Sequence, residues 1–251
     1  MKAPPMPSAP RPDDFYVGYL RTPLRAIRAA AWLAVALVLA ADGAALLLYR
    51  LQRDPAQGRW NEAGEVAITG TLIARPYPIV EVAGAAGERP RVVLLVSEGK
   101  AGAPPGAAAL DGKPVTVHGY EILRDELTVL QLSRDPVAAE AAALPLAPRA
   151  VGPRTLTGEI VDAKCYLGAM NPGEGKVHKD CASLCLLGGI PPLFVTRDTA
   201  GKTHYRLLAD AQGGPIAEAA AARAGEFITL SGTLLELGGI ELFAVDPAAL
   251  R

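Results

Sequence analysis

"DGKPVTVHGYEILRDELTVLQL", residues 111–132, is matched 113 positions later by "AGEFITLSGTLLELGGIELFAV", residues 224–245. In both, apolar and polar residues alternate, the signature of a half-buried strand. In each, a strand is expected to end at a glycine, Gly119 or Gly232, and a hairpin follows. The first hairpin turns near Arg124–Asp125. The second turns at Gly238–Gly239, a dipeptide suited to the positive φ values of a type I′ turn. Upstream, "AITGTLIARPY" (67–77) lines up with "TLTGEIVDAKC" (155–165) at an offset of 88. The chain therefore repeats itself, and the second copy is longer by about 25 residues. We assign those residues jointly to a cysteine-bearing segment and to "PIAEAAAARAG" (215–225).

Short antiparallel strands with a small linking or helical element before the last hairpin are the plan of the OB-fold, a five-stranded barrel. Closure removes exposed strand edges, which keeps a small domain soluble. The expected fold is mainly β: an N-terminal transmembrane helix, then two tandem OB-like β-barrels, the second with an inserted Cys/His helix. A single β-sandwich is the alternative. The expected divisions are a Pro-rich tail and interfacial segment (1–24), a transmembrane helix (25–53), a first β domain (60–135), an Ala/Pro linker (136–153) and a second β domain (154–247).

Residues 29–49, "AAAWLAVALVLAADGAALLLY", carry one charge, Asp42, in 21 positions. At the helical rise they span roughly 30 Å, the thickness of a bilayer's hydrocarbon core. A cleaved signal peptide is the alternative, but its apolar region is normally shorter and lies nearer the start. Arg21, Arg25 and Arg28 crowd the entry to the helix, which favours a cytoplasmic N-terminus. The Ala-rich composition suggests a bacterium, so the β domains are expected in the periplasm, behind a single pass through the inner membrane. Asp42 either snorkels or faces a partner helix, and "FYVGYL" (Phe15–Leu20) fits an interfacial anchor or a docking segment. Membrane-complex subunits are the expected partners. From Trp60 onward there are 17 basic and 22 acidic residues, a net of −5. That balance argues against nucleic acid, whose phosphates call for a basic face.

All three cysteines fall in "KCYLGAMNPGEGKVHKDCASLCLLGGIPP" (164–192). Asn-Pro-Gly makes 168–175 a loop, and 176–187 reads as a short helix stopped by Gly188–Gly189. On it His178, Cys181 and Cys185 stand at i, i+3 and i+7, so one face carries an imidazole and two sulfurs. Cys165, at the end of the preceding strand, can reach that face. Three thiolates and an imidazole suit zinc, and soft thiolates also take Cu(I). Two other readings stay open. One is a disulfide from Cys165 to Cys181 or Cys185 with one thiol left over. The other is a reactive cysteine favoured by nearby lysines. His118 and His204 read as structural.

The motif Gly-Glu-Ile-Val-Asp, Cys165-Tyr166, His178-x-x-Cys181-Ala-x-x-Cys185 and Gly-Ile-Pro (157–196) resembles a segment of uncharacterised exported bacterial proteins. The resemblance implies that Cys165, His178, Cys181 and Cys185 are the functional cluster, supported by Tyr166 and the Gly-Ile-Pro turn. The expected function is a non-catalytic, membrane-anchored accessory subunit of a redox or respiratory complex with a metal-binding or disulfide-bearing Cys/His cluster, the metal being one zinc or copper ion. A thiol- or metal-dependent periplasmic oxidoreductase using Cys181 or Cys185 is the alternative.

Overall fold

The computed structural model describes residues 22–52, 58–84, 90–140 and 148–250. The segment Phe15–Leu20 and the middle of the Ala/Pro linker lie outside these residues.

Two units are distinguished, residues 1–55 and 56–251. The first contains α1, Leu24–Leu51, 28 residues long and apolar enough to cross a membrane. Pro23 sits just before it, where the fixed φ of proline is tolerated at a helix start. Arg50 in the last turn complements the negative end of the helix dipole.

The second unit is two five-stranded barrels. The first uses β1 (Arg59–Ile73), β2 (Ile79–Val82), β3 (Arg91–Val96), β4 (Pro114–Arg124) and β5 (Leu127–Leu132). Their order is β1-β2-β3-β5-β4, closed by pairing of β4 with β1. A two-residue strand, β6 (Val137–Ala138), extends the sheet beside β4, within the stretch read as linker. The second barrel uses β7 (Arg149–Asp162), β8 (Pro192–Arg197), β9 (Thr203–Asp210), β10 (Phe227–Leu237) and β11 (Ile240–Val245) in the same order. In both, the third and fifth strands run parallel and the other pairs antiparallel. The second hairpin turns at Gly238 (φ 53) and Gly239 (φ 89), as its sequence requires.

Strand register locates the extra residues. Thr71 faces Glu81 in the first barrel, and Glu159 faces Val195 in the second, so the offset is 88 on the first strand but 114 on the next. Leu94 and Val129 correspond to Leu207 and Leu242, an offset of 113 that then persists to the end of the hairpin. The additional residues therefore all lie between β7 and β8, in the cysteine segment. The piece at 215–225 adds no length. It forms α3 (Ala217–Ala221), which takes the place of the 3-10 turn Pro105–Leu110.

Each barrel fills its own interior. Leu72, Val80, Val93, Leu95, Val117 and Leu130 line the first. Ile160, Phe194, Leu208, Leu230 and Phe243 line the second, with the rings of Phe194 and Phe243 stacked at 5.8 Å. A third cluster joins the barrels. Ile79, Leu94 and Val129 sit side by side on β2-β3-β5, and their counterparts Leu193, Leu207 and Leu242 sit on β8-β9-β11. All six are buried in one core. The two copies thus meet through the same face, as subunits of an isologous dimer do. Strands buried on both faces become continuous apolar runs, which is why β3 reads "RVVLLV" rather than alternating. At the seam the backbone N–H of Ile216 donates to the Tyr77 hydroxyl at 2.8 Å.

Candidate metal and thiol site

β7 ends at Asp162, and a tight turn, Cys165–Ala169, follows at once. The strand thus stops three residues short of the cysteine that the sequence reading placed at its end. The turn is set by Asp162, whose Oδ1 accepts from the Cys165 backbone N–H at 2.8 Å. A 3-10 turn, Lys176–His178, leads into α2, Lys179–Leu187. Asp180 in the first turn of α2 opposes the helix dipole favourably. The Gly-Ile-Pro turn ties both ends of the insertion together: Ile190 N–H donates to the Cys185 carbonyl at 3.1 Å, and Ala163 N–H to that of Pro191 at 3.0 Å. Ser183, the hydroxyl within the motif, donates to the Ala221 carbonyl and so anchors α2 on α3.

These constraints place the four sequence-predicted residues in two groups that share Cys165. Donor atoms of Cys165, His178 and Cys181 lie within 4.8 Å of one another, as do those of Asp162, Cys165 and Cys185. Cys165 belongs to both groups, and its Sγ is 3.9 Å from that of Cys185. Cys165, Cys185 and His178 are buried, and Cys181 is half-buried. His178 Nε2 lies 3.2 Å from Asp162 Oδ2, which fixes the ring and leaves Nδ1 as its other donor. A carboxylate bonded to the far nitrogen is the usual way a histidine is held for a metal.

Tyr166 stands apart from the sulfurs. Its ring lies under the Arg124 guanidinium, 4.1 Å from the centroid, and meets Tyr205 edge-on at 6.0 Å. It supports the seam between barrels rather than the cluster. His204 pairs with Asp198 at 3.1 Å, and His118 lies on β4, so neither joins the site.

Two cations belong to the site and were not singled out in the sequence. Lys100, from the loop after β3, places Nζ 2.7 Å from Cys181 Sγ and 3.6 Å from Cys185 Sγ. Lys164, beside Cys165, donates to the Ser97 and Gly99 carbonyls at 2.9 and 2.8 Å. The first barrel therefore delivers an ammonium to the thiols of the second, and the second barrel clamps the loop that delivers it. Glycine makes the approach possible. A Cβ at Gly188 would stand 1.8 Å from the Lys100 carbonyl oxygen, and one at Gly102 would stand 2.2 Å from that of Gly189. The three cysteines, Lys100, Met170 and Trp60 line an open cavity of ≈ 320 Å³.

The electrostatics divide the sulfurs. The Cys185 thiol is held down to about 7, first by the hydrogen bond from Cys165 and then by Lys100. The Cys165 thiol is pushed far up by keeping the shared proton and by burial. Lys100 is held above its ordinary range, chiefly by its bond to Cys181. In metal-free protein one thiolate should therefore appear with a midpoint near 7, below the ordinary thiol value of 9.0. Removing the cation in Lys100→Met should raise that midpoint, because the anion loses an opposite charge. Ultraviolet absorption of the thiolate reads both, and an unmoved midpoint in Lys100→Met would refute the role of Lys100.

Comparison of the chain with family models, with curated proteins and with solved structures returned no match.

Proposed function

We propose that this protein is a membrane-anchored periplasmic accessory subunit of a redox or respiratory complex, and that Cys165, His178, Cys181 and Cys185 hold one metal ion. The observation that carries this reading is the spacing of the donors. The 3.9 Å between Cys165 Sγ and Cys185 Sγ is nearly twice a disulfide bond of about 2.05 Å. It is close to the ~3.8 Å edge of a tetrahedron built on metal–sulfur bonds of about 2.3 Å. Zinc or copper would be bound by the sulfurs and by His178, which Asp162 orients. The ion would supply either a structural cross-link or a one-electron couple, according to its identity. The half-buried Cys181 leaves the site open on one side.

The anchor is α1, with the N-terminus in the cytoplasm. Asp42 within it and Phe15–Leu20 ahead of it are the segments we assign to neighbouring membrane subunits.

The test is metal analysis of the full-length protein, purified under reducing conditions in a mild detergent. About one equivalent of zinc or copper is expected. Asp162→Asn keeps every ligand but loosens the histidine, and should weaken affinity about 10–100-fold. The second reading is a thiol oxidoreductase, favoured by the low-lying Cys185 thiol beside Cys165. Metal-free protein with one disulfide and a single fast-reacting thiol would replace the metal reading with that one.

A further inference from the structure

We propose that Lys100 and Cys181 form a covalent N–O–S bridge on oxidation, a modification that joins the two barrels through their side chains. It goes beyond the metal reading and does not depend on it.

The starting point is the 2.7 Å between Lys100 Nζ and Cys181 Sγ. That is the short end of the range for N–H···O bonds, about 2.7–3.2 Å, although sulfur is larger than oxygen. One oxygen atom bonded to both N and S spans such a gap without moving either residue. The distance to Cys185, 3.6 Å, is an ordinary contact by comparison.

The two groups are also pre-positioned. The Lys100 loop is closed on itself by bonds from Ser97 N–H to the Ala101 and Gly102 carbonyls, both at 3.0 Å. It is closed onto α2 by Gly102 N–H to the Gly188 carbonyl at 2.9 Å. Lys164 holds the carbonyls of Ser97 and Gly99 from below. Reactants fixed in this way need no further ordering to meet. The third reactant must come from solvent, and of the three cysteines Cys181 is the one that is not buried.

The reaction balances with dioxygen as oxidant. The amine of Lys100 and the thiol of Cys181 each lose one hydrogen, and the O–O bond breaks. One oxygen becomes the bridge, forming an N–O and an S–O bond, and the other leaves as water with those two hydrogens. Nitrogen and sulfur each give up two electrons, and the four together reduce dioxygen. An excess of thiol reductant reverses the change. The bridge withdraws Cys181 from the donor set and replaces a hydrogen bond by a covalent link.

The experiment uses full-length protein in detergent, stripped of metal with a chelator and exposed to air, then digested with trypsin without reductant. The expected product is a pair of peptides joined through Lys100 and Cys181, with one oxygen gained and two hydrogens lost. Cleavage after Lys100 should be blocked. Dithiothreitol should separate the pair and restore cleavage. Lys100→Arg and Cys181→Ser should each abolish the linked pair while keeping the wild-type circular dichroism. Cleavage at Lys100 with Cys181 recovered as a free thiol, a disulfide or a sulfinic acid overturns the proposal. So does a link lacking the added oxygen, which is a sulfenamide.

Discussion

Gly188→Val should cost the protein several kcal/mol and detach the Lys100 loop from the cysteine helix. The added Cβ would stand 1.8 Å from the Lys100 carbonyl oxygen, and both atoms belong to backbone, so one chain must move. Overpacking alone costs about 1–3 kcal/mol. Moving the loop also breaks the Gly102 N–H to Gly188 carbonyl bond, about 1 kcal/mol. The larger consequence is at Lys164, which is 4% exposed. Its ammonium is held by the Ser97 and Gly99 carbonyls of that same loop. Hydrogen bonds to a charged group contribute about 1.5–3 kcal/mol each, and a buried charge left without them is costly. Urea unfolding of the full-length protein measures the sum. A background of Lys164→Met separates the parts, because there the loop can move without stranding a charge, so Gly188→Val should cost less. An equal cost in both backgrounds would show that Lys164 does not clamp the loop.

The cysteine cluster was legible because its logic is local. Cys181 and Cys185 sit on α2 and His178 in the 3-10 turn that leads into it, and the spacing alone brings them close. The strands were legible for the same kind of reason: alternation in "KPVTVHGYEIL" and two glycines at the second hairpin state their structure within a few residues. Lys100 was not legible. Within "SEGKAG" it reads as one charge on a solvated loop, and nothing nearby in sequence refers to residues 81 and 85 positions later. Its role exists only because the barrels meet through equivalent faces, a tertiary fact. Asp162 was closer to view, three residues before Cys165 at a strand end, but a carboxylate there also reads as an ordinary strand terminator. The length of the insertion was right in total and wrong in placement. Helical "AEAAA" looked like added chain when it replaces the 3-10 turn of the first copy.

Leu94→Ala and Leu207→Ala should destabilise the protein by about 2–5 kcal/mol each, the range for emptying a leucine site in a close-packed core. They occupy the same position in the two repeats, and both are fully buried in the core that runs between the barrels. If that core is what holds residues 56–251 as one unit, either change must be felt by both barrels. A lesion in β3 of the first barrel should then lower the unfolding midpoint of the second by the same amount, with one transition throughout. Two probes report the barrels separately. The amides of β4 belong to the first barrel, and those of β8 and β11, which carry the stacked pair Phe194 and Phe243, belong to the second. Exchange of the amides on β4 and of those on β8 and β11 should therefore accelerate together in Leu94→Ala. The opposite outcome is also clear-cut: loss of protection on β4 while the amides of β8 and β11 stay protected would mean that the barrels fold independently. In that case Lys100 would be brought to the thiols by its own short loop contacts with α2, and the shared face would be an accident of duplication. Coincident transitions instead make the seam the element that assembles the site, because the ammonium and the sulfurs come from different copies of the repeat and meet only when the two faces close.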